Sequence, residues 1–151
     1  MQNYSGQIAA GATVEYLQKL GMDRIDAWER KLNGFLTKEL LDRYGDTGWF
    51  KIIGPRNPDQ RGGIFTFEIK RPNAVGITED LSARSNIMIR DGVFCVHSYF
   101  NKLYGPDWTK PRLPSEHRMV YRLSLYFYNT MDECRAFLEA LHAIFEERSY
   151  I

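Results

Sequence analysis

The clearest pattern in the chain is a stripe of apolar residues between positions 23 and 44. Apolar side chains recur there at steps of three and four, the spacing of one helix face: Ile25, Trp28, Leu32, Phe35, Leu36 and Leu40. Asp23 is a good N-cap, so we predict a helix from Asp23 to about Tyr44. Residues 5–20 are rich in alanine, have apolar residues at mixed helical spacing and precede Gly21, a plausible stop, so they predict a first helix.

Alternation of apolar and polar positions indicates the strands. Residues 49–69 begin with a short apolar run, continue through a turn rich in Gly, Pro and Asn, and end with Phe65, Phe67 and Ile69 on one face. This order predicts an antiparallel pair of strands. The stretch MVYRLSLYFY, residues 119–128, also alternates, which predicts a strand with one buried face and with Arg122 on the other face.

The remaining segments complete the predicted order of elements. We predict a helix over 73–85, a short strand at 87–89 and an irregular stretch over 91–118, and such a long irregular stretch is often functional. The last helix begins at Thr130 with Glu133 completing a capping box, and its apolar side contains Phe137, Leu138, Leu141, Ile144 and Phe145. Helices and strands alternate, so we predict an α+β fold, a mostly antiparallel sheet covered by helices.

Composition limits the class of protein. A chain of 151 residues suits one domain, 1–151, and 44% hydrophobic with 26% charged residues is typical of a soluble globular protein. The net charge is +1 with basic residues spread along the chain, which argues against nucleic-acid binding. No apolar run approaches the roughly 20 residues of a membrane span, and two cysteines suit free thiols, so we expect a cytoplasmic protein without membrane contact.

The two cysteines have different surroundings. Cys134 falls on the apolar stripe of the last helix, which predicts a core residue. Cys95 lies outside every periodic segment, so it is either a functional thiol or a small buried apolar residue. With His97 it forms a C-x-H pair, but a structural zinc needs four ligands and no second pair has suitable spacing, so we predict no metal site.

Arg122 departs from the apolar character of its strand. Its guanidinium must reach a polar environment, and the planar fork of an arginine suits a carboxylate. The alternative is an arginine that reaches solvent from an open sheet face. The residues alone leave both interpretations open.

Two motifs resemble those of a known family. RLSLYFYNT, residues 122–130, and IRDGVFC, residues 89–95, resemble consecutive signatures of class V aminotransferase-fold enzymes, nearest the cysteine desulfurases and selenocysteine lyases. Residues 3–32 are similar to a helix pair of that family, and Gly-Pro at 54–55 falls where the family has it. The resemblance covers essentially the whole chain. It implies the small C-terminal domain of a pyridoxal-phosphate-dependent transferase of fold type I.

The resemblance implies roles for three residues. Cys95 would be the thiolate that takes sulfur or selenium from an amino acid held on pyridoxal 5'-phosphate, which forms a persulfide and releases alanine. Arg122 would bind the substrate carboxylate, and Arg90 would support the cysteine loop and the site entrance. It also implies a homodimeric full-length enzyme and, after catalysis, a possible sulfur acceptor protein.

The chain departs from the family in three respects. Val93, Phe94 and Val96 flank the cysteine and a long tail runs to Pro114, which leaves open another class V reaction on an amino acid, such as epimerisation, transamination or a lyase reaction. The family's cofactor-binding large domain has no counterpart in these residues. We therefore expect the C-terminal part of a larger enzyme that alone neither binds the cofactor tightly nor converts cysteine. A stand-alone interaction domain without catalysis is the remaining alternative.

Overall fold

The computed structural model describes residues 2–110 and 117–151, and within them the chain forms alternating helices and strands. The helices are α1 Tyr4–Leu20, α2 Met22–Tyr44, α3 Ile77–Ser85, α4 His97–Tyr104 and α5 Met131–Glu147, with a 3-10 turn at Pro58–Gln60. The strands are β1 Phe50–Ile53, β2 Ile64–Ile69, β3 Arg90–Asp91 and β4 Met119–Ser124.

The four strands form one sheet in the order β1-β2-β4-β3, and every neighbouring pair is antiparallel. Ile52 lies opposite Phe67, which in turn lies opposite Tyr121, so these side chains share one face. The predicted α+β class and mostly antiparallel sheet are confirmed.

The main core lies between that face and helices α2, α3 and α5. The buried stripe of α2 contains Ile25, Leu32, Leu36 and Leu40, and that of α5 contains Cys134, Phe137, Leu138, Leu141, Ile144 and Phe145. The predicted apolar faces of both helices and of β2 are therefore confirmed, as is the core position of Cys134. The capping box of α5 is also present, because Thr130 and Glu133 bond to each other's backbone N–H.

The opposite face of the sheet, which we call the outer face, is polar along its strands. It bears Lys51 of β1, Thr66 and Glu68 of β2, Val120 and Arg122 of β4, and Arg90 of β3, since these residues pair directly across the strands. Helix α4 lies over this face. Its Phe100 and the strand residue Val120 are 1% and 2% exposed although neither belongs to the main core, which indicates a small second core between α4 and the outer face.

Several predicted boundaries are wrong. Helix α2 begins at Met22 because Gly21 ends α1 and its carbonyl then accepts the first N–H groups of α2, so Asp23 is not the N-cap. The helix predicted over 73–85 begins only at Ile77, after a turn through Gly76, whose φ of 86° favours glycine.

Other corrections concern the segments around the sheet edge. The short strand is at Arg90–Asp91 and not at 87–89. The stretch 91–118 contains helix α4 and is therefore not wholly irregular; its residues 111–116, which include Pro114, lie outside the described residues. Strand β4 ends at Ser124, because Asn129 closes a turn with the backbone of Tyr126.

Across residues 2–110 and 117–151, no helix combines the length and the apolar character that crossing a bilayer requires.

Candidate functional site

Two arginines face each other across the edge of the sheet. Arg90 of β3 lies directly opposite Arg122 of β4, and both side chains are on the outer face. Like charges directly opposite on neighbouring strands destabilise a sheet, so this pair favours a negatively charged ligand. Strand β4 places Arg122 on the outer face by simple alternation, because Tyr121 and Leu123 beside it point into the core.

Arg122 is half-buried and lacks an acidic partner within the described part of the chain. Its Nε is buried and makes no hydrogen bond there, and no ion pair with a described carboxylate involves its guanidinium. A buried donor of this kind is normally satisfied in a folded protein. The guanidinium is therefore available to a carboxylate ligand.

Cys95 lies in the loop between β3 and α4. The loop is fixed at Gly92, whose N–H donates to the carbonyl of Val120 on β4, and it closes through a bond from Val96 N–H to the carbonyl of Val93. Phe94 and Cys95 have φ of 52° and 63°, a left-handed backbone conformation that is uncommon for residues other than glycine. Such strain gathers at functional loops, and Cys95 is exposed to solvent.

Phe94 connects the cysteine loop to the arginine. The centre of its ring lies 4.9 Å from the Arg122 guanidinium carbon, the distance of a cation–π contact. Since Cys95 follows Phe94 directly, the structure brings the loop that carries Cys95 to the same end of the outer face as Arg122 and Arg90. The three residues predicted from the sequence thus lie in one region.

The second cysteine and the helix histidine have structural surroundings. Cys134 is 1% exposed, and burial raises the pKa of its thiol to about 11, so it stays protonated and unreactive at neutral pH. His142 of α5 bonds through Nδ1 to the Tyr44 hydroxyl at 2.7 Å, which makes it a satisfied residue. In residues 2–110 and 117–151, no three His, Cys, Asp or Glu side chains gather closely enough to hold a metal ion.

A buried acidic residue on the same face was not predicted. Glu68 of β2 is 2% exposed, and its carboxylate pairs with Arg118 at 2.5 Å and accepts a hydrogen bond from the Tyr104 hydroxyl at the end of α4. Alternation in β2 assigns Glu68 to the solvent face, because Phe67 and Ile69 point into the core. The spacing of Phe100, Leu103 and Tyr104 is typical of a helix. This signal could have indicated that a helix lies over Glu68 and buries it.

The chain is similar to one described protein family. Residues 2–137 match the family model of aminotransferase class V. A solved apo structure of cysteine desulfurase from Thermococcus onnurineus NA1 superposes with a TM-score of 0.69 and 24% identity, covering 97% of this chain and 32% of that one. This structural similarity shows that the chain has the fold of the corresponding part of that protein.

Two proteins with similar sequences are also named as probable cysteine desulfurases. The chain is 29% identical over 144 residues to a probable cysteine desulfurase of Pyrococcus abyssi, which covers 94% of the chain and 31% of the relative. It is 30% identical over 138 residues to a probable cysteine desulfurase of Synechocystis sp., with 90% and 29% covered. The chain therefore spans less than a third of the length of either relative.

Proposed function

The chain belongs to the aminotransferase class V family, and we propose that it is the C-terminal domain of an enzyme that removes sulfur or selenium from cysteine or selenocysteine. Alanine is the carbon product of this reaction. The observation that carries the proposal is the exposed thiol of Cys95 in a strained loop whose Phe94 packs on Arg122. The names of the relatives in Pyrococcus and Synechocystis support the same class of reaction.

Cys95 accepts the sulfur in the proposed reaction. A persulfide forms when the cysteine thiolate bonds to the substrate's sulfur, while the bond between that sulfur and the substrate's β-carbon breaks. The acceptor must be reachable by the substrate and later by whatever removes the sulfur. The exposure of Cys95 supports this role, whereas the burial of Cys134 argues against it for the second thiol.

Arg122 binds the substrate's carboxylate, and Arg90 supports the thiol loop. A guanidinium offers two parallel N–H donors to a carboxylate, and the buried Nε of Arg122 has no other partner among the described residues. Arg90 adds a second positive charge directly opposite. Such binding fixes the orientation of the amino acid relative to the thiol, which is a large part of catalysis.

The family depends on pyridoxal phosphate in general, and that cofactor supplies the electron sink for amino acid chemistry. Holding it takes a lysine, an acidic partner for the ring nitrogen and donors to the phosphate. On the outer face, the Lys51 ammonium lies 5.4 Å from the centre of the Tyr104 ring, and the Glu68 carboxylate is already bound by Arg118 and Tyr104. These residues do not form a site for the cofactor, so we propose that residues beyond this chain hold it and that the chain alone is inactive.

The proposal is tested on the protein at its natural length with pyridoxal phosphate. Alanine and sulfide are measured after addition of L-cysteine together with a thiol reductant, which reduces the Cys95 persulfide and releases its outer sulfur as sulfide. The measurement is repeated with L-selenocysteine, for which selenide is the second product. We expect Cys95→Ser to abolish sulfide release and Cys134→Ser, the matched control, to leave it intact. Arg122→Lys should raise KM for the amino acid, because lysine lacks the two-donor fork. Full sulfide release by Cys95→Ser would refute the role of the thiol.

A second candidate is another class V reaction, such as epimerisation, transamination or a lyase reaction, in which Arg122 still binds a carboxylate but Cys95 accepts no sulfur. The observation that favours it is the Phe94 ring against Arg122, because a bulky side chain beside the thiol limits the room for a substrate. Conversion of other amino acids with unchanged rates in Cys95→Ser would favour this candidate.

The complete enzyme is proposed to act in the cytoplasm as a homodimer and to pass sulfur to an acceptor protein. Two free cysteines suit a reducing compartment. Helix α1 has no buried residue, and its Tyr4, Ile8 and Val14 are exposed, which supports contacts of α1 with protein beyond this chain.

A further inference from the structure

Glu68 is a charged residue in a position that normally excludes charge. It is 2% exposed and sits in the middle of the sheet, paired with Lys51 on one side and Val120 on the other. A buried carboxylate is costly unless ion pairs and hydrogen bonds compensate for lost water. A threonine or valine would fit this strand position without that cost. The role of Glu68 is therefore to be sought in the ion pair and the hydrogen bond that it forms.

The two oxygens of Glu68 bind two different parts of the chain. Oε1 accepts from Arg118, just before β4, at 2.5 Å, and Oε2 accepts from the Tyr104 hydroxyl, the last residue of α4. The Arg118 guanidinium carbon also lies 4.6 Å from the centre of the Tyr104 ring. We call these three residues, Glu68, Tyr104 and Arg118, the Glu68 clamp.

The Tyr104 hydroxyl remains a hydrogen-bond donor in the clamp. Burial, together with the hydrogen bond to Glu68, raises the pKa of Tyr104 above its usual value, so the phenol stays protonated and remains a donor. A hydrogen bond to a charged acceptor is stronger than one between neutral groups. The end of α4 is thus attached to the sheet by a charged contact in addition to apolar packing.

The same helix carries the cysteine loop at its other end. Helix α4 has eight residues and begins at His97, two positions after Cys95, so about 12 Å of rigid helix connects the clamp to the loop. Between them, Phe100 packs on the rings of Tyr104 and Trp108. A rigid helix fixed at one end transmits that position to the other end.

We infer that Glu68 is a positioning residue: through Tyr104 it holds α4 on the outer face and thereby keeps the loop of Phe94 and Cys95 against Arg122. The functional meaning of this position rests on the proposed sulfur transfer. The physical part, an attached helix that orders a thiol loop, is independent of it. The two parts are tested by separate measurements.

The first experiment uses the 151-residue chain with a nitroxide label on Cys95. Glu68→Gln removes the charge, and Tyr104→Phe removes only the hydroxyl and keeps the ring packing, so at least the second variant should fold. Asp80→Asn is the matched control. Asp80 forms a comparable ion pair with Arg148, with 2.6 Å between the carboxylate oxygen and the guanidinium nitrogen, and neither residue belongs to α4. Label mobility is read by electron spin resonance, amide exchange of residues 97–104 by mass spectrometry, and global stability by urea denaturation.

Loss of the charged hydrogen bond should raise amide exchange in α4 by about tenfold, the factor that corresponds to about 1.4 kcal/mol. The Cys95 label should become more mobile in Glu68→Gln and Tyr104→Phe, and neither change should occur in Asp80→Asn even when its urea midpoint falls equally. Unchanged exchange in α4, or a rise equal to the global loss of stability in all three variants, would overturn the inference.

The second experiment separates this inference from the proposed function. In the protein at its natural length, Tyr104→Phe should lower kcat for sulfide release by about tenfold and leave KM for cysteine within about twofold, since Arg122 is untouched. A normal kcat in a variant with a mobile loop would overturn the positioning role while the sulfur transfer stands. Absence of sulfide release from the unmodified protein would refute the proposed function, and the exchange data would still decide the role of Glu68.

Discussion

Replacing Arg122 with methionine should stabilise the isolated chain. A residue that binds a ligand often lowers the stability of the fold without the ligand. The surroundings of Arg122 fit this description. Its Nε is buried and unsatisfied within the described residues, and Arg90 faces it across the strand. Methionine keeps the unbranched apolar stem of the side chain and removes the charge.

The magnitude follows from three contributions. An unsatisfied buried donor costs about 1–3 kcal/mol, and facing Arg90 adds up to about 1 kcal/mol of repulsion. The contact of the guanidinium with Phe94 at 4.9 Å offsets about 0.5–1 kcal/mol of this. We expect Arg122→Met to raise the free energy of unfolding by about 1 kcal/mol, which raises the urea midpoint by about 0.5 M.

The assay is equilibrium urea denaturation followed by the fluorescence of the three tryptophans. Arg148→Met is the matched control, because Arg148 donates to the carbonyls of Asn73 and Val75 and pairs with Asp80. Its loss should cost about 2 kcal/mol. If Arg122→Met destabilises the chain as much as Arg148→Met, Arg122 has a structural role and the reasoning about a ligand site is refuted.

Three further predictions concern the rest of the fold. Tyr121→Phe should lower the free energy of unfolding by about 1–2 kcal/mol in urea denaturation, because its buried hydroxyl donates to the carbonyl of Ala74. Thr130→Ala should cost about 1 kcal/mol by the same assay, since it removes the N-cap of α5. The Thr130 N–H donates to the Glu133 carboxylate and lowers its pKa, so the stability it adds is present at neutral pH and is lost as pH falls through that lowered pKa. The urea midpoints of Glu133→Gln and of the unmodified chain should therefore differ at neutral pH and converge at acid pH. A difference that stays constant with pH would contradict this.

The helices and strands that border the main core could be predicted from sequence. In α2, α5 and β2 the apolar spacing is regular because one face of each meets the same core. Boundaries were less accurate where a backbone turn decides them, as at Gly21 and Gly76, which are at positive φ. The pattern also predicted α1 correctly as a helix, although its apolar residues are exposed.

The outer face could be predicted only in part. Alternation identifies which face of a strand meets the larger core, but it does not reveal that a short helix covers the other face. Helix α4 has only eight residues and is followed by Gly105 and Pro106, so its pattern is too short to stand out. Alternation alone therefore assigns Glu68 to the solvent side of β2, although the residue is buried. Arg122 and Cys95 were identified as candidates because each departs from the pattern around it.

The most direct test of the proposed function is the location of the transferred sulfur. The protein at its natural length is incubated with pyridoxal phosphate and L-cysteine, blocked with an alkylating reagent and digested with trypsin, which yields Asp91–Lys102 with Cys95 and Leu123–Arg135 with Cys134. We predict that Asp91–Lys102 gains the mass of one sulfur atom while Leu123–Arg135 does not. Alanine formation without added sulfur on Cys95, or added sulfur on Cys134 alone, would contradict the proposal.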